Sequence, residues 1–383
     1  MIQAQTREAD DPQAAAASIV AQVMAAGPLS RHACGVVHCD NAFLETGALL
    51  AVSRALPFPT VGINTLLHST VSGALSSTLL TVTVLTSPDV RMSVALSEHM
   101  GEDVRGPCES LFFEALSGLK EKPSAGFMFV PFLQWCPAGE LITQTLDSAS
   151  GNIPLFGTVA ADYSDEFRSP RVLFNGCAWS SRSALILFGA AARPRFSIYP
   201  VSAKKTVRGK AVVTESEAHI VRRINGMPVL DFLETLGLCT DGKLECAYSI
   251  PLFLERGGGR PPIVRSMLAQ TADGAIVLGG NVPPGSTLGI GAMDTLHIIE
   301  GVRRAASLMS LSAPGAAFLY SCLFRGVCLG LNYTSEMETL RRDLAGRVPY
   351  TFAYSGGEIC PMLLPDGKWH NEFHNMSLVA MFL

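Results

Sequence analysis

Residues 59–63 read Pro-Thr-Val-Gly-Ile, a proline followed at once by a short apolar run of the kind that forms buried strands. Residues 154–157 read Pro-Leu-Phe-Gly, and residues 349–354 read Pro-Tyr-Thr-Phe-Ala-Tyr. Because proline is tolerated at the first residue of a strand but not in its interior, each proline marks the start of a strand. The three starts indicate an internal repeat, and the elements around them decide the fold.

The same order of elements surrounds each of these prolines. In the first unit, Asp11 and Pro12 occupy the N-cap and first-turn positions of a predicted helix. There follow a strand at residues 33–37, a second helix at 45–56 and then the proline-led strand. The order helix, strand, helix, strand returns at residues 108–157 and again at 294–354, and further strands close each unit.

A fourth proline has a similar setting. Pro251 stands in Ile-Pro-Leu-Phe, and the four prolines are spaced 95, 97 and 98 residues apart. The region before Pro251 lacks the full helix-strand-helix order, however. Pro251 therefore marks either a fourth unit or an ordinary strand start.

Helices that alternate with groups of two or three consecutive strands predict an α+β fold rather than a doubly wound parallel sheet. Each sheet would carry helices on one face, and two such sheets would pack as a layered α/β/β/α sandwich of two halves. Lys204-Lys205 and the polar residues that follow mark the boundary between the halves. The predicted domains are residues 12–203 and 204–383.

The composition excludes several classes of protein. Hydrophobic residues make up 48% and charged residues 16% of the chain, which is typical of a packed globular protein. With a net charge of -4 and no basic stripe, we expect no nucleic-acid partner. No uninterrupted run of 18 apolar residues predicts a membrane span, and residues 1–11 do not resemble a signal peptide, so the expected location is the cytoplasm.

The cysteine and histidine spacings do not favour a metal site. Ten cysteines are scattered without a CxxC pair, and the eight histidines form no HExxH motif. We therefore expect free buried thiols, no metal and no cofactor. Gly257-Gly258-Gly259 lacks the residues of a phosphate-binding loop and predicts a turn.

Polar residues follow the predicted strands near the end of the chain, in the segments Ser321-Cys322-Leu323-Phe324-Arg325, Ser355-Gly356-Gly357-Glu358-Ile359 and Phe373-His374-Asn375. Together and in this order they resemble the C-terminal half of the FIST family. Residues 60–65 and 156–162 resemble the two glycine-turn segments of its N-terminal half, so the resemblance covers nearly the whole chain. Two features depart from it: Leu66-Leu67-His68 replace a Gly-Glu continuation, and residues 1–30 contain no F-box.

This resemblance implies an intracellular sensory or signal-transduction module rather than an enzyme. Such a module would bind a small ligand, such as an amino acid or a similar metabolite, in a cleft between the halves. The alternative is a protein-interaction scaffold or a substrate receptor related to F-box ubiquitin-ligase components. The expected partners are accordingly a small molecule and a signalling or ubiquitin-ligase protein.

Arg325 and Glu358 are the charged residues of the resembling segments. Arg325 could offer its planar guanidinium to a ligand carboxylate while Glu358 accepts from a ligand amine, which would suit a zwitterion. They could equally form an internal ion pair, with Gly357 serving only the tight turn. The predicted ligand-binding residues are Cys322, Arg325, Gly357, Glu358, His374, Asn375, Asn64 and Asp162.

The remaining predicted residues also have two interpretations. Cys322, with His374 later in the chain, could be a nucleophile, but a cysteine that ends an apolar strand is more often a small buried hydrophobe. His374 could bridge the loop or be a core histidine. Asn64 and Asp162 could reach a mouth shared by the strand ends, or could make Asx turns. Asp162, Asp165 and Glu166 together indicate a solvated loop.

Overall fold

The structure is a computed structural model of the 383-residue chain. It describes residues 1–71, 78–133, 136–162, 169–201, 206–244, 249–256, 260–364 and 367–383. Three units with the same order of elements surround one core, and a further region is inserted into the third. Among the described residues, no helix is both long and apolar enough to cross a membrane.

The first unit begins with the predicted helix. Its N-cap is Asp11, whose carboxylate accepts hydrogen bonds from the backbone N–H of Gln13 and Ala14, both at 3.0 Å. The elements of this unit are β1 Ile2–Thr6, α1 Pro12–Ala25, β2 His32–Cys39, α2 Ala42–Glu45, α3 Ala48–Ala55, β3 Thr60–Asn64, β4 His68–Thr70 and β5 Leu80–Ser87.

The second unit repeats this order. Its second helix ends at Gly151, which adopts a left-handed conformation with φ of 68° that glycine takes without strain. The elements are β6 Met92–Leu96, α4 Arg105–Leu119, β7 Pro123–Val130, α5 Ala138–Ser150, β8 Leu155–Val159, β9 Val172–Phe174, β10 Cys177–Trp179 and β11 Ala184–Gly189.

The third unit is split by the inserted region. Its first strand is β12 Arg195–Tyr199. After the insertion come α7 Thr295–Ser312, β23 Ala317–Cys322, α8 Leu323–Leu329, a 3₁₀ turn Gly330–Asn332, α9 Ser335–Leu344, β24 Tyr350–Ser355, β25 Glu358–Leu363, β26 Trp369–His374 and β27 Leu378–Phe382.

The inserted region forms its own sheet, with strand order β19-β18-β22-β13-β14-β21-β20, around a separate apolar core. Strand β15 pairs with β14, and β16 pairs with β17. The elements are β13 Thr206–Glu217, β14 Ile220–Ile224, β15 Met227–Pro228, α6 Val229–Glu234, β16 Cys239–Thr240, β17 Lys243–Leu244, β18 Leu252–Leu254, β19 Ile263–Arg265, β20 Met267–Gln270, β21 Ile276–Leu278 and β22 Thr287–Gly291.

Each unit contains the same parallel pair of strands, β2 with β3, β7 with β8 and β23 with β24. An antiparallel strand, respectively β5, β11 or β27, lies on the other side of the first member. Equivalent backbone hydrogen bonds begin the three pairs: Gly35 N–H to Pro59 O at 2.9 Å, Gly126 N–H to Pro154 O at 2.9 Å and Ala317 N–H to Pro349 O at 3.1 Å. The proline-led strands thus define the repeat.

The three units exchange strands in a ring. Strand β9 of the second unit pairs with β3 of the first, β25 of the third pairs with β8 of the second, and β4 of the first pairs with β24 of the third. All three added strands are antiparallel to their partners. Each unit therefore completes the sheet of another unit.

The apolar core lies between these three sheets. It includes Val61 of the first unit, Phe127 and Phe156 of the second, and Phe318 and Tyr320 of the third, each at most 1% exposed. Helices cover the outer face of each sheet through three further apolar clusters. Helices outside and sheets inside confirm the predicted α+β fold, and all three sheets pack on the same core.

Some details of the predicted organisation differ in the structure. Pro251 does not start a fourth unit, because the strand after it, β18, belongs to the sheet of the inserted region. A helix that the predicted order of elements does not contain, α8, follows β23 and carries Arg325. The boundary at residues 203 and 204, the turn at 257–259 and the acidic residues 165 and 166 lie outside the described residues.

The close approach of β2 and β3 predicts that Gly62 tolerates no side chain. A Cβ atom on Gly62 would lie 1.7 Å from the carbonyl oxygen of Val37, so Gly62→Ala must push the two strands apart. We expect it to lower the free energy of unfolding by about 3 kcal/mol in urea denaturation. Gly315→Ala is the control, because its nearest neighbour would be 3.6 Å away; equal losses in the two variants would contradict the prediction.

Candidate ligand-binding site

Asn64 and Asp162 connect the first two units. Asn64 ends β3; its Oδ1 accepts from Arg171 N–H at 2.6 Å, and its Nδ2 donates to Asn41 Oδ1 at 2.6 Å and to Ser169 O at 2.8 Å. Asp162 Oδ2 accepts from Ser169 N–H at 2.7 Å. Both predicted residues are nearly inaccessible to solvent. They hold the chain after β8 against the end of β3.

Arg325 is buried in a network of hydrogen bonds inside the third unit. Its Nη2 lies 2.8 Å from Glu336 Oε1 and its Nε lies 3.0 Å from Ser321 Oγ. The guanidinium also donates to the carbonyl oxygens of Tyr199 at 3.4 Å and Ile298 at 3.1 Å. Both sequence-based interpretations of Arg325 are therefore corrected. Its ion-pair partner is Glu336 rather than Glu358, and the internal network leaves no face for a ligand carboxylate.

Glu358 is fully buried at the start of β25. Its Oε2 accepts from Ser377 Oγ at 2.9 Å, while its Oε1 has no hydrogen-bond partner among the described residues. Burial raises the pKa of this carboxyl well above its usual value and so favours the neutral acid. The sequence predicts that the carboxylate of Glu358 faces a ligand amine. The structure instead places this carboxyl inside the protein.

Gly357 allows the ends of two units to approach. Its N–H donates to Ser355 Oγ at 3.1 Å, and its carbonyl oxygen accepts from Val159 N–H at 2.9 Å. The φ of Gly357 is 154°, and a Cβ atom there would lie 2.4 Å from the ring of Phe373. This contact joins two segments of the protein, and it requires glycine at position 357.

Cys322 and His374 do not form a nucleophile and base. The Cys322 thiol is buried, and burial raises its pKa well above the usual value, which disfavours the thiolate. His374 is a core residue whose Nε2 lies 3.3 Å from the carbonyl oxygen of Cys360. Burial lowers the pKa of His374 to about 3, so the imidazole is neutral near pH 7.

Cys322 and Asn375 line a small space where strand ends of the second and third units meet the inserted region. We call it the junction cavity; its wall includes Gly139, Cys322, Gly356 and Asn375, and its cover includes His219 and Ser266. Its volume is about 50 Å³. Asn375 Oδ1 accepts from Ser266 N–H at 3.2 Å and so attaches the cover to the third unit.

A larger opening lies beside it, between helix α5, strand β26 and the inserted region. We call it the polar cleft; its volume is about 570 Å³ and its charged residues include Glu140, Asp147, Arg256, Arg260, Arg265 and Glu372. The predicted residues do not line it. It does, however, lie between the N-terminal and C-terminal parts of the chain, where the sequence predicts a ligand cleft.

Arg265 is the most deeply buried cation of the polar cleft. Its Nη2 lies 3.3 Å from Glu140 Oε2, and its Nη1 donates to Phe373 O at 3.1 Å. Burial lowers the pKa of Arg265, and its buried Nε has no hydrogen-bond partner among the described residues. Glu140 Oε2 also accepts from Asn281 N–H at 2.6 Å. One donor of a buried guanidinium therefore remains unsatisfied beside the cleft.

The other charges of the cleft are more accessible. Arg256 and Glu372 form an ion pair in which each side chain is about one-sixth exposed. Arg256 Nε also donates to Pro261 O at 3.1 Å. Arg260 is exposed, and Asp147 contacts Asn371, while burial raises the pKa of Asp147. Cations and anions thus stand side by side around one opening.

Sequence reasoning missed these residues because their partners are distant in the chain. The one local signal is Arg265, a lone charge in the apolar run at residues 261–268. A charge within a buried strand indicates either an internal pair or a site. Its partner Glu140 is 125 residues away, and only the fold brings the two together.

The sequence model of the FIST N domain matches residues 33–227, and that of the FIST C domain matches residues 230–361. The chain belongs to the FIST family. FIST domains are sensory and signalling domains. The two matches confirm the predicted family. They meet within the inserted region, so the C-terminal match covers much of that region together with the third unit.

No curated protein matches this FIST protein in sequence. Among solved structures, the cyanuric acid hydrolase from A. caulinodans is similar to it at 9% sequence identity and a TM-score of 0.37. The alignment covers 99% of this chain and 97% of the hydrolase.

The network around Arg325 predicts a large effect of neutralising its partner. Glu336→Gln removes the negative charge and leaves a buried guanidinium uncompensated, so we expect the free energy of unfolding to fall by about 3 to 5 kcal/mol. Asp343→Asn in the more exposed pair with Arg342 is the control and should cost less than about 1 kcal/mol. Urea denaturation measures both, and a similar small loss in each would refute the structural role of Arg325.

Two buried imidazoles predict a loss of stability in acid. The pKa values of His68 and His374 are lowered to about 3, below the usual value of 6.5, so the unfolded chain takes up protons first as the pH falls. Their contribution is complete above pH 6.5 and is lost towards pH 3. At pH 5 the loss is about 2 kcal/mol for each histidine.

Urea denaturation at pH 7.5 and pH 5 measures this dependence. His374→Gln should show a smaller decrease between the two pH values than the unmodified protein, because glutamine takes up no proton. An unchanged decrease in this variant would show that His374 does not contribute to the acid sensitivity.

Proposed function

We propose that this FIST protein is a sensory module that binds a small zwitterion, such as an amino acid or a similar metabolite, in the polar cleft. The observation that carries the proposal is a cleft between the two parts of the chain that is lined by charges of both signs, with the exposed Arg260 among its cations. A cleft of about 570 Å³ lies within the usual range for small-molecule sites. The site replaces the one that Arg325 and Glu358 were expected to form.

The charges of the cleft match the two ends of a zwitterion. Arginine binds carboxylates through paired N–H donors, and the exposed Arg260 is available in this opening. Glu140 and Asp147 lie on helix α5 at the same opening and offer oxygens to an ammonium group. A ligand with only one of the two charges would pair with only one of these two sets.

The proposed role needs no turnover. Cys322, the candidate nucleophile, is buried with its thiol disfavoured as a thiolate, which supports a binding protein rather than a cysteine-dependent enzyme. In this proposal the protein works in the cytoplasm, and a signalling or ubiquitin-ligase protein recognises the ligand-bound state. Val327, Leu331 and Tyr333 are each at least half exposed on and after helix α8 and offer apolar surface for such a contact.

A thermal-shift screen of the standard amino acids, followed by calorimetric titration of any that stabilise, tests the proposal. A ligand at a hundred times its Kd should add about 2.7 kcal/mol to the free energy of unfolding. The amine and the acid that each contain one half of the best amino acid should bind at least tenfold more weakly, because each lacks one charge.

Arg260→Ala should weaken binding at least tenfold with little effect on folding, since the side chain is exposed at the cleft. Arg105→Ala, an exposed arginine at the start of helix α4, is the matched control and should bind normally. If no amino acid stabilises the protein, or if both variants bind equally well, the polar cleft is not the ligand site.

A further inference from the structure

A further opening lies where the three units meet at the other end of the core. We call it the apolar pocket; its volume is about 260 Å³, and its wall includes Leu85 of the first unit, Phe188 of the second and Ala316 of the third. Ala316 directly precedes the six residues of β23, whereas Cys322, on the wall of the junction cavity, ends that strand. Because six strand residues span about 20 Å, the apolar pocket is separate from the junction cavity.

The most buried wall residues belong to the core that the three sheets share. Leu85, Phe188, Ala192 and Ala316 are each at most 6% exposed, and Met92 packs against the same cluster. An apolar cavity of about 150 Å³ is large enough to bind benzene, and at about 30 Å³ for each water-sized group the apolar pocket accommodates about eight such groups. An apolar molecule of this size would lose most of its contact with water there, which favours binding.

The polar part of the wall suits an anion. Arg193 supplies the charged side chain of the wall; it is exposed, and its Nη1 donates to the carbonyl oxygen of Ala192 at 2.9 Å, which keeps the guanidinium beside the pocket. Arg193 forms no ion pair among the described residues, so its other N–H groups can donate to a carboxylate. The Oγ of Ser87 accepts from Val90 N–H at 3.0 Å, which leaves its own hydrogen to donate.

We propose that the apolar pocket binds a monocarboxylic acid whose apolar part has about eight carbon atoms. The chain packs against Leu85, Phe188 and Met92, and the carboxylate at the opening pairs with Arg193. The wall has no Asp or Glu side chain among the described residues, so the ammonium group of a zwitterion would lose its hydration without a charged partner. This ligand class therefore differs from the one proposed for the polar cleft.

Calorimetric titration with butanoate, hexanoate and octanoate at constant ionic strength tests the apolar part of the site. Each buried CH₂ group should tighten binding about fourfold, so the affinity should rise steeply along this series. The increase per CH₂ group should be smaller between octanoate and dodecanoate, because the additional groups extend beyond the pocket. Titration of octanoate at two temperatures should also show a negative heat-capacity change, which accompanies the burial of apolar surface.

Ala191→Phe tests the location of the site. Ala191 is an exposed residue of the pocket wall, so a phenyl ring there occupies the pocket without replacing a core residue. We expect the affinity for octanoate to fall by about tenfold or more and the Tm without octanoate to stay close to that of the unmodified protein. Ala190→Phe is the matched control, because Ala190 is also exposed but does not line the pocket, and it should bind octanoate normally.

Arg193→Gln tests the contact with the carboxylate. Octanoate should bind the variant about tenfold more weakly, because glutamine is neutral. Octanol, which has the same chain without the charge, should bind the variant and the unmodified protein equally well. Arg195→Gln is the matched control, because Arg195 is an exposed arginine at the start of β12 that does not line the pocket, and it should leave the octanoate affinity unchanged.

Each of these measurements can overturn the proposal. No heat of binding with octanoate, or an affinity that does not depend on chain length, would mean that the pocket binds no apolar acid. Equal octanoate binding by Ala191→Phe and Ala190→Phe would place the ligand elsewhere, and unchanged binding by Arg193→Gln would exclude the carboxylate contact. Amino-acid binding should be retained in Ala191→Phe and octanoate binding in Arg260→Ala, so failure at one site does not decide the other.

Discussion

Each unit has a parallel pair of strands at its centre. Taken alone, the unit would have a row of unpaired backbone groups along the outer edge of β3, β8 or β24. An exposed edge of this kind is a template for pairing with another chain. Each edge is covered by an antiparallel strand of a different unit, so the three sheets depend on one another in a ring. Removing any unit would expose the edge of another as well as its own apolar face.

The same exchange brings the strand ends together. Thr65 Oγ1 donates to Tyr354 O at 2.7 Å, and Gly356 N–H donates to Val159 O at 2.9 Å. The carbonyl oxygen of Ser169 accepts from Asn64 Nδ2 at 2.8 Å and so joins the first two units. The polar groups at these positions are already hydrogen-bonded in the contacts that join the units. At this end of the strands, the groups that remain for a ligand therefore come from the inserted region and from the surfaces that face it.

The local elements could be predicted because each is encoded by neighbouring residues. Asp11 and Pro12 specify the start of α1, and the order helix, strand, helix, strand predicted at residues 294–354 is found in α7, β23, α9 and β24. The exchange of strands could not be predicted, since the pairing of Thr70 with Thr351 joins short segments far apart in the chain. The three residues of β4 are His-Ser-Thr, which form no apolar pattern that would select one sheet over another.

The sequence predicts a ligand cleft between the two parts of the chain but does not predict the residues that line the polar cleft. Two of the predicted residues, Cys322 and Asn375, line the junction cavity instead. The sequence cannot distinguish the guanidinium of Arg325 from that of Arg265, because each stands beside apolar residues and each is buried. Only the coordinates show that Glu336 satisfies the first and that the Nε of the second has no partner among the described residues.

An unsatisfied buried atom indicates a ligand only where space adjoins it. Glu358 Oε1 and His38 Nδ1 also lack partners in the described part of the chain, but both residues are fully buried, and a neutral acid or imidazole tolerates that position at a lower cost than a charge does. Arg265 and Ser266 are consecutive residues that line different openings, Arg265 the polar cleft and Ser266 the junction cavity. The alternation of side chains along an extended segment accounts for this difference. One stretch of the inserted region therefore contributes to the walls of both spaces, and the repeated units supply the walls that face it.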